Sequence, residues 1–361
     1  MGIFTGRGRY HHSTPTPGMR EAHAREMSIE RASAEFINNA AHGYVIPGCL
    51  RAAAQMEMAD RLADGPVHVE YLAERIGADE RMLHRMLRLL ATTGIVKEVE
   101  PGVFVLMELG SALRTDSPMS VRDAVLAVTT HPVYSAGGDL IHPLLTGRPA
   151  IDHIFHQPFF EYLGSHPVEG EEFHTGMGAY SLAASRQFAM ECPLPQTGVL
   201  VDVGGGQGAL LNEVLSRHRG LHGVLFDRPR VVQNHRLRFD DSRWTVVGGD
   251  FFDADSIPKA DRFVLQFVLH NWGDDECVTI LQNCRRALAK GGSVLVHEML
   301  VPPGNDPHPA KVMDVIMMSL LEGACERTEE EFRELMDKAG FRAVRVVPPR
   351  TGALSIIEAT I

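Results

Sequence analysis

One stretch constrains this chain more than any other: Val199-Leu200-Val201-Asp202-Val203, then Gly204-Gly205-Gly206-Gln207-Gly208, then Ala209-Leu210-Leu211. An apolar run that ends in an acid and a glycine cluster, and resumes with helical periodicity, is a strand turning sharply into a helix. Glycines permit the tight turn and let the backbone approach a ligand closely. The expectation is a parallel α/β unit with a nucleotide-like ligand at the turn.

The pattern after residue 198 supports a sheet of that kind. Strands are expected at Gly198–Val203, Gly223–Phe226, Trp244–Val247, Asp261–Leu265 and Ser293–His297, with helices at Leu210–Ser216, Val231–Asn234 and Asp275–Ala289. Such alternation is the signature of a mostly parallel sheet covered on both faces. The end of the chain differs. A helix near Glu329–Ala339 leads into Ala343–Val347, a turn over Pro348–Gly352, and Ala353–Ala359. A short connection between two strands makes a hairpin, so one of them runs antiparallel.

The front half reads differently again. Residues 1–25 are polar and contain His11-His12, and are expected to be a mobile tail. From Ser28 to about Leu62 the pattern is helical with a break near Pro47-Gly48, and its apolar residues spill outside one stripe. Helices of that kind need a partner surface. Val69–Ile76, Gly77 and Asp79–Leu90 read as helix, turn, helix, with Asp79 as N-cap. Ile95–Val99 and Val103–Leu106, joined by Glu100-Pro101-Gly102, read as a hairpin. Together these resemble a winged helix-turn-helix, placed at residues 26–115. Residues 116–361 are expected to form the second domain, opening with a helical, aromatic-rich segment at 116–190 suited to lining a bulky apolar pocket.

Arg81, Arg85 and Arg88 can form a basic stripe on the second helix of that front unit. Between Val67 and Arg114, however, seven acids accompany six bases, and the whole chain carries a formal charge of -11. That balance argues against nucleic acid or an anionic membrane as partner. Cysteines 49, 192, 277, 284 and 325 show no CxxC pair, which fits a reduced, cytoplasmic set and no metal centre. No apolar run approaches the roughly 18 residues of a spanning helix, and no signal-peptide pattern is present.

Gly204-x-Gly206-x-x-Ala209 fits the dinucleotide turn, which alone is weak. Asp227 follows at the end of the next strand, where an acid accepts hydrogen bonds from ribose hydroxyls. Both NAD and S-adenosylmethionine (SAM) satisfy those features. Three others favour SAM: Asp202 inside the first strand, the Gly249-Asp250-Phe251-Phe252 motif after the third, and a C-terminal hairpin where a second mononucleotide-binding half would stand. Beyond the fourth strand come Leu269-His270-Asn271-Trp272. His270 is thereby delivered to the carboxyl edge of the sheet, where function resides in such folds.

With these residues assembled, the chain resembles the SAM-dependent small-molecule O-methyltransferases of the plant caffeate/flavonoid type and their bacterial natural-product relatives. The matching pieces, in family order, are Val201–Gly208, Phe226-Asp227-Arg228-Pro229-x-Val231, Gly249–Phe252, Leu269–Trp272, Val296-His297-Glu298 and Glu326-Arg327-Thr328-Glu329-x-Glu331-Phe332. The resemblance implies a Rossmann-like SAM-binding domain, a winged-helix-like homodimerisation domain in front, and an acceptor that is a small phenolic or polyketide-like aromatic. It implies His270 as general base, with Glu298 and Glu326 flanking and orienting the imidazole. Ser181, Asp202, Gly204, Gly206, Asp227, Asp250, Phe251 and Gln266 would hold SAM, and Phe173, Met177, Asn271 and Met317 would face the acceptor. Two positions depart from the plant pattern: Gln266 stands where Lys or Arg is common, and Asn271 where Asp is common.

The chemistry is coherent. A sulfonium is an activated methyl donor, so positioning supplies much of the rate. A phenol with a pKa of about 10 needs a base at neutral pH, and a histidine near 6.5 is suited to the task. The competing expectations are N- or C-methylation or a non-methylating reaction on the same scaffold, a SAM-binding transcriptional regulator, and an NAD-dependent dehydrogenase.

Overall fold

The computed structural model describes residues 17–361, without the side chains of 17–27 and 241. It opens with a helix, Pro17–His42. Residues 17–25 of the expected tail are therefore helical. Proline suits a first helical position, because its missing N–H would be unpaired there anyway, and the following residues are rich in Ala, Glu, Arg and Met. Residues 1–16, His11-His12 among them, lie outside the described residues.

The break expected near Pro47-Gly48 falls instead at Gly43-Tyr44. The next helix, Val45–Gln55, runs through Pro47. Pro47 sits in its first turn, where backbone N–H groups have no intrahelical acceptor, so the ring costs no hydrogen bond.

The winged-helix reading holds in outline. Strands Val67–His68 (β1), Val96–Glu100 (β2) and Val103–Leu106 (β3) form a small sheet in the order β1-β3-β2. Helices Val69–Ile76 and Glu80–Thr92 pack on it, and the Asp79 carboxylate accepts from the Met82 N–H at 2.9 Å as N-cap. Leu72, Leu87, Leu90 and Phe104 are buried at the centre of this unit. The two-residue β1 has no sequence signature of its own; pairing with β3 defines it.

Short helices cover residues 122–165 and lead to the long helix Pro167–Glu191. That helix crosses Arg122–Val128 at Gly176. A side chain there would meet the Asp123 carbonyl oxygen at 2.2 Å and the Ala127 methyl at 2.4 Å. The bare backbone permits a close crossing and fixes the position of the downstream turns, which carry Tyr180 and Ser181.

The second domain is built on a seven-stranded sheet: Thr197–Val203 (β4), Gly220–Asp227 (β5), Trp244–Gly248 (β6), Ala260–Gln266 (β7), Leu288–Met299 (β8), Ala343–Val347 (β9) and Leu354–Thr360 (β10), in the order β6-β5-β4-β7-β8-β10-β9. Strands β4 to β8 pair in parallel. Strand β10 runs antiparallel to both β8 and β9, which is the expected C-terminal hairpin. Two cores flank the sheet. Phe263, Ile280, Leu281 and Phe332 lie in one, and Phe188, Leu211, Leu225 and Val264 in the other. Strand order reverses between β4 and β7, which opens a crevice at their carboxyl ends.

Candidate active site

The glycine turn leaves β4 at that crevice. Gly204, Gly206 and Gly208 adopt φ values of +68°, +60° and +89°, a region that side-chain-bearing residues rarely enter. The Gly204 N–H donates to the Phe226 carbonyl at 2.8 Å, and the Gly206 N–H to Asp227 Oδ2 at 2.9 Å. Asp227, at the tip of β5, takes the Arg228 N–H on its other oxygen at 2.6 Å. A Cβ on Gly206 would meet nothing within 4 Å, so that glycine borders open space. A Cβ on Gly205 would collide with the Asp202 carboxylate at 2.5 Å.

Asp202 is 2 % exposed, and its Oδ2 has no hydrogen-bond partner. Burial, reinforced by the neighbouring Asp227 charge, pushes its pKa up to about 7. An orphaned acid at a glycine turn is poorly suited to a pyrophosphate and well suited to a cationic nucleoside. The donor SAM is such a molecule, and the residues present fit it. Beyond β8, where a dinucleotide fold adds a further parallel strand, this sheet carries the antiparallel β9–β10 hairpin, which counts against the dehydrogenase reading.

The loop after β6 forms the next wall. Asp250 is exposed, and its Oδ1 accepts from the Phe252 N–H at 2.9 Å. Phe251 is half-buried, edge-on to Phe252 and Trp272 at ring separations of 5.0 and 5.8 Å. Asn283 donates to the Phe251 and Phe252 carbonyls at 3.0 and 3.1 Å. Asn283 and Trp272 thus hold this loop, roles with no local signal in the sequence.

Strand β7 delivers the proposed base. After Gln266 the backbone swings into the left-handed region at Phe267, with φ +55°. A bulky residue there is strained by about 1–3 kcal/mol and persists only where its surroundings over-determine it. They do so here. Glu298 Oε1 accepts from the N–H groups of Val268, Leu269 and His270 at 3.0, 2.7 and 3.3 Å. Arg327 is 2 % exposed; it donates to the Leu269 and Trp272 carbonyls at 3.1 and 2.8 Å and grips Asp274. The Cys325 N–H donates to the His270 carbonyl at 3.1 Å. Glu298, Arg327 and Cys325 thereby pair six backbone groups of the turn from distant segments.

His270 itself projects from this turn, and its Nδ1 lies 2.8 Å from Glu326 Oε1. The two side chains are 13 % and 2 % exposed. The Glu326 N–H is held by Asp314 Oδ1 at 2.9 Å. Burial pushes the imidazole pKa down, but the Glu326 hydrogen bond and the Glu298 and Glu326 charges outweigh it and hold the ring above its ordinary value. Glu298 is 1 % exposed, and that burial raises its pKa. The expectation that Glu298 and Glu326 both orient the ring is thus corrected. Glu326 alone bonds the imidazole; Glu298 bonds the main chain beneath it.

Other expected residues are distributed as follows. Gln266 is buried and donates to the Ser181 carbonyl, Ser181 Oγ and Ser185 Oγ at 3.2, 3.2 and 3.0 Å, tying the long helix to the sheet edge. Asn271 turns back and donates to the Phe267 carbonyl at 3.0 Å, so its amide nitrogen serves the turn rather than an acceptor. Phe173 stands edge-on to Phe159 at 5.0 Å. Met177 is half-buried, and Met317 is buried on helix Pro309–Leu320, which also carries Asp314. Tyr180 and Phe267, absent from the expected set, stack beside the base: their rings are 5.3 Å apart, and Phe267 is 5.7 Å from His270. Burial, and then the Glu326 charge, raises the Tyr180 pKa.

Comparison with known proteins agrees with this geometry. Residues 138–342 match the O-methyltransferase domain, and residues 38–116 match the O-methyltransferase dimerisation domain. Phenazine O-methyltransferase from Lysobacter antibioticus is 35% identical over 321 residues, covering 88% of this chain and 93% of that protein. The calicheamicin biosynthesis methyltransferase CalO1, in its SAH-bound form, superposes with a TM-score of 0.84 at 40% identity, over 91% of this chain and 98% of that one. An N-methylating relative also matches: 8-amino-8-demethylriboflavin N,N-dimethyltransferase from Streptomyces davaonensis, 31% identical over 83% of this chain and 87% of that protein. This chain belongs to the O-methyltransferase family and is a SAM-dependent O-methyltransferase with that family's dimerisation domain.

Proposed function

We propose that the chain methylates a hydroxyl of a small aromatic acceptor, with His270 as general base. The observation that carries this is the His270–Glu326 pair: a carboxylate 2.8 Å from Nδ1 leaves Nε2 as the nitrogen that takes a proton. Glu326 holds the tautomer and stabilises the imidazolium that forms. Glu298 and Arg327 hold the turn that presents the ring. When bound, SAM supplies an activated methyl on a positive sulfur, so the chain's tasks are to align the acceptor oxygen and remove its proton. Gly204, Gly206, Asp202, Asp227, Asp250, Phe251 and Ser181 would hold the donor, with Ser181 at its methionine end.

For the acceptor, Tyr180 and Phe267 offer aromatic surfaces beside the base, and Phe173, Met177 and Met317 extend an apolar lining. Relatives named for phenazine and for 2,7-dihydroxy-5-methyl-1-naphthoate methylation support a planar aromatic partner. The N-methylating relative keeps an amine acceptor as the second reading. A phenol requires deprotonation by His270, whereas a neutral arylamine attacks without prior loss of a proton.

His270→Ala is expected to lower methylation of a phenolic acceptor by on the order of 10²–10⁴ while leaving SAH affinity within about twofold of wild type. Wild-type turnover of that acceptor by the variant would refute the assignment.

The working unit is proposed to be a homodimer. In the single chain, residues 28–42 of the first helix are exposed almost throughout, Ile29, Phe36 and Ile37 at 60, 71 and 65 %. Apolar side chains on a helix that packs on nothing require a covering surface. Sedimentation equilibrium should give twice the chain mass at micromolar concentration; a concentration-independent single-chain mass would oppose it.

A further inference from the structure

Gln266 is wired into a buried polar chain whose far end nothing above explains. Strands β7 and β8 pair in parallel with Gln266 opposite His297. His297 is fully buried against the Phe188 ring, and its Nδ1 lies 3.1 Å from Gln266 Oε1. The direction of each hydrogen bond follows from what each atom can do. A backbone carbonyl only accepts, so the Gln266 atom 3.2 Å from the Ser181 carbonyl is the amide nitrogen. The amide oxygen therefore faces His297, and because that oxygen only accepts, the proton sits on Nδ1.

The ring must then be neutral with Nε2 bare. Nε2 is buried and has no partner, and burial holds the His297 pKa down at about 4. At the other end, Ser185 gives its hydroxyl proton to the Ser181 carbonyl at 2.7 Å and accepts from Gln266 at 3.0 Å. Ser181 Oγ also accepts from Gln266. Its own proton goes to no acceptor among the described residues. The relay runs one way, from imidazole N–H to amide to serine, and terminates in a single half-buried hydroxyl with a proton to give.

We propose that His297 is a positioning residue for the cofactor: its Nδ1–H locks the Gln266 amide, which holds Ser181 as a hydrogen-bond donor to the carboxylate of the donor's methionine end. The proposal rests on the reading of Ser181 as a cofactor residue. It assigns a cofactor-binding consequence to a histidine in β8 that touches neither reactant. Without the Nδ1–H, the amide is anchored only on its Ser181 side and its buried oxygen is left without a donor; any rotation that relieves that oxygen weakens the bonds to Ser181 and withdraws the support.

The test is calorimetric titration of SAH, which retains the carboxylate, into full-length variants, alongside steady-state kinetics. His297→Asn keeps a donor near the Nδ1 position, and His297→Leu has a similar shape without it. The His297→Leu protein is expected to bind SAH more weakly and to raise KM for SAM by about five- to twentyfold, with kcat and the acceptor KM within about twofold; the His297→Asn protein is expected to bind within about twofold of wild type. In a Gln266→Leu background, His297→Leu should add no further loss, because the relay is already cut.

Equal SAH affinity for the two His297 variants would overturn the proposal, as would parallel losses in both tracking their melting temperatures, which is packing alone. Ser181→Ala separates the two levels. Unchanged SAH affinity in that variant sinks the underlying reading of Ser181. Weakened affinity there, with no difference between the His297→Asn and His297→Leu proteins, sinks the relay only.

Discussion

Two loops meet at the carboxyl edge of the same sheet, and they are fixed in opposite ways. The glycine turn after β4 is set mainly by its own backbone: positive φ values set the path, the Gly204 N–H bonds to the main chain of the adjacent strand, and the Asp227 carboxylate takes the Gly206 N–H. The turn after β7 is held by side chains from distant segments: Glu298 takes its N–H groups, Arg327 its carbonyls, and a strained Phe267 begins it. A ligand-binding turn needs small residues so that ligand and backbone can approach. A turn that presents a base needs its backbone immobilised while the side chain stays free to exchange a proton. The contrast separates what the donor requires from what proton transfer requires.

The largest effect should come from cutting the long-range braces. Arg327→Leu leaves two carbonyls of the His270 turn without their buried donor and is expected to cost about 2–3 kcal/mol in urea unfolding. Activity should fall further than stability explains, by on the order of 10² or more under conditions where the variant is folded. If activity tracks the folded fraction alone, the turn is not being positioned by Arg327.

Gly205→Ala attacks the other loop. Its methyl would sit 2.5 Å from the Asp202 carboxylate and 2.6 Å from Leu225, so the turn must move. Overpacking of that size costs about 1–3 kcal/mol. SAH affinity is expected to drop by on the order of tenfold, with the pH profile unchanged. A profile that shifts with it would mean the two loops are coupled.

The smallest effect is electrostatic. His270 must be neutral to act as base, and its pKa is held above the ordinary 6.5, so the acid limb of kcat/KM should lie above that value. In Glu326→Gln the hydrogen-bond acceptor survives but the charge is lost, while burial still pulls the ring down. The limb should then move to lower pH. For stability the sign is set by the raised folded pKa: the contribution of the pair is complete below the unfolded value and fades as pH rises through the folded one. An unmoved limb in the variant would mean that the group seen in the profile is not His270.

How much of this was readable from the chain follows the same division. The glycine turn, Asp227 and the position of His270 were legible because local pattern determines them: an apolar run, a break, a polar residue at a strand tip. The role of Glu298 was misread because sequence order places it near His270 in the fold but does not say which atom its carboxylate meets. Arg327 stood inside a quoted motif, yet its work is done across the gap to residues 269–274. Phe267 gives no sign of its backbone angle, because bulky residues seldom adopt it. Gly176 has no local signal of its role; the crossing with Arg122–Val128 supplies the reason. The start of the first helix was missed because residues 1–25 were read as one compositional block.

That first helix has a consequence of its own. Isolated helices shorter than about 12–15 residues are marginal in water, and longer ones in proteins still draw most of their stability from packing. Residues 28–42 cover almost no surface of their own chain, so in the proposed homodimer their winding is a property of the pair and not of the monomer. Dilution below the dimer's dissociation constant should unwind them before either folded domain loosens, making the ellipticity of this protein depend on how much of it is in the tube.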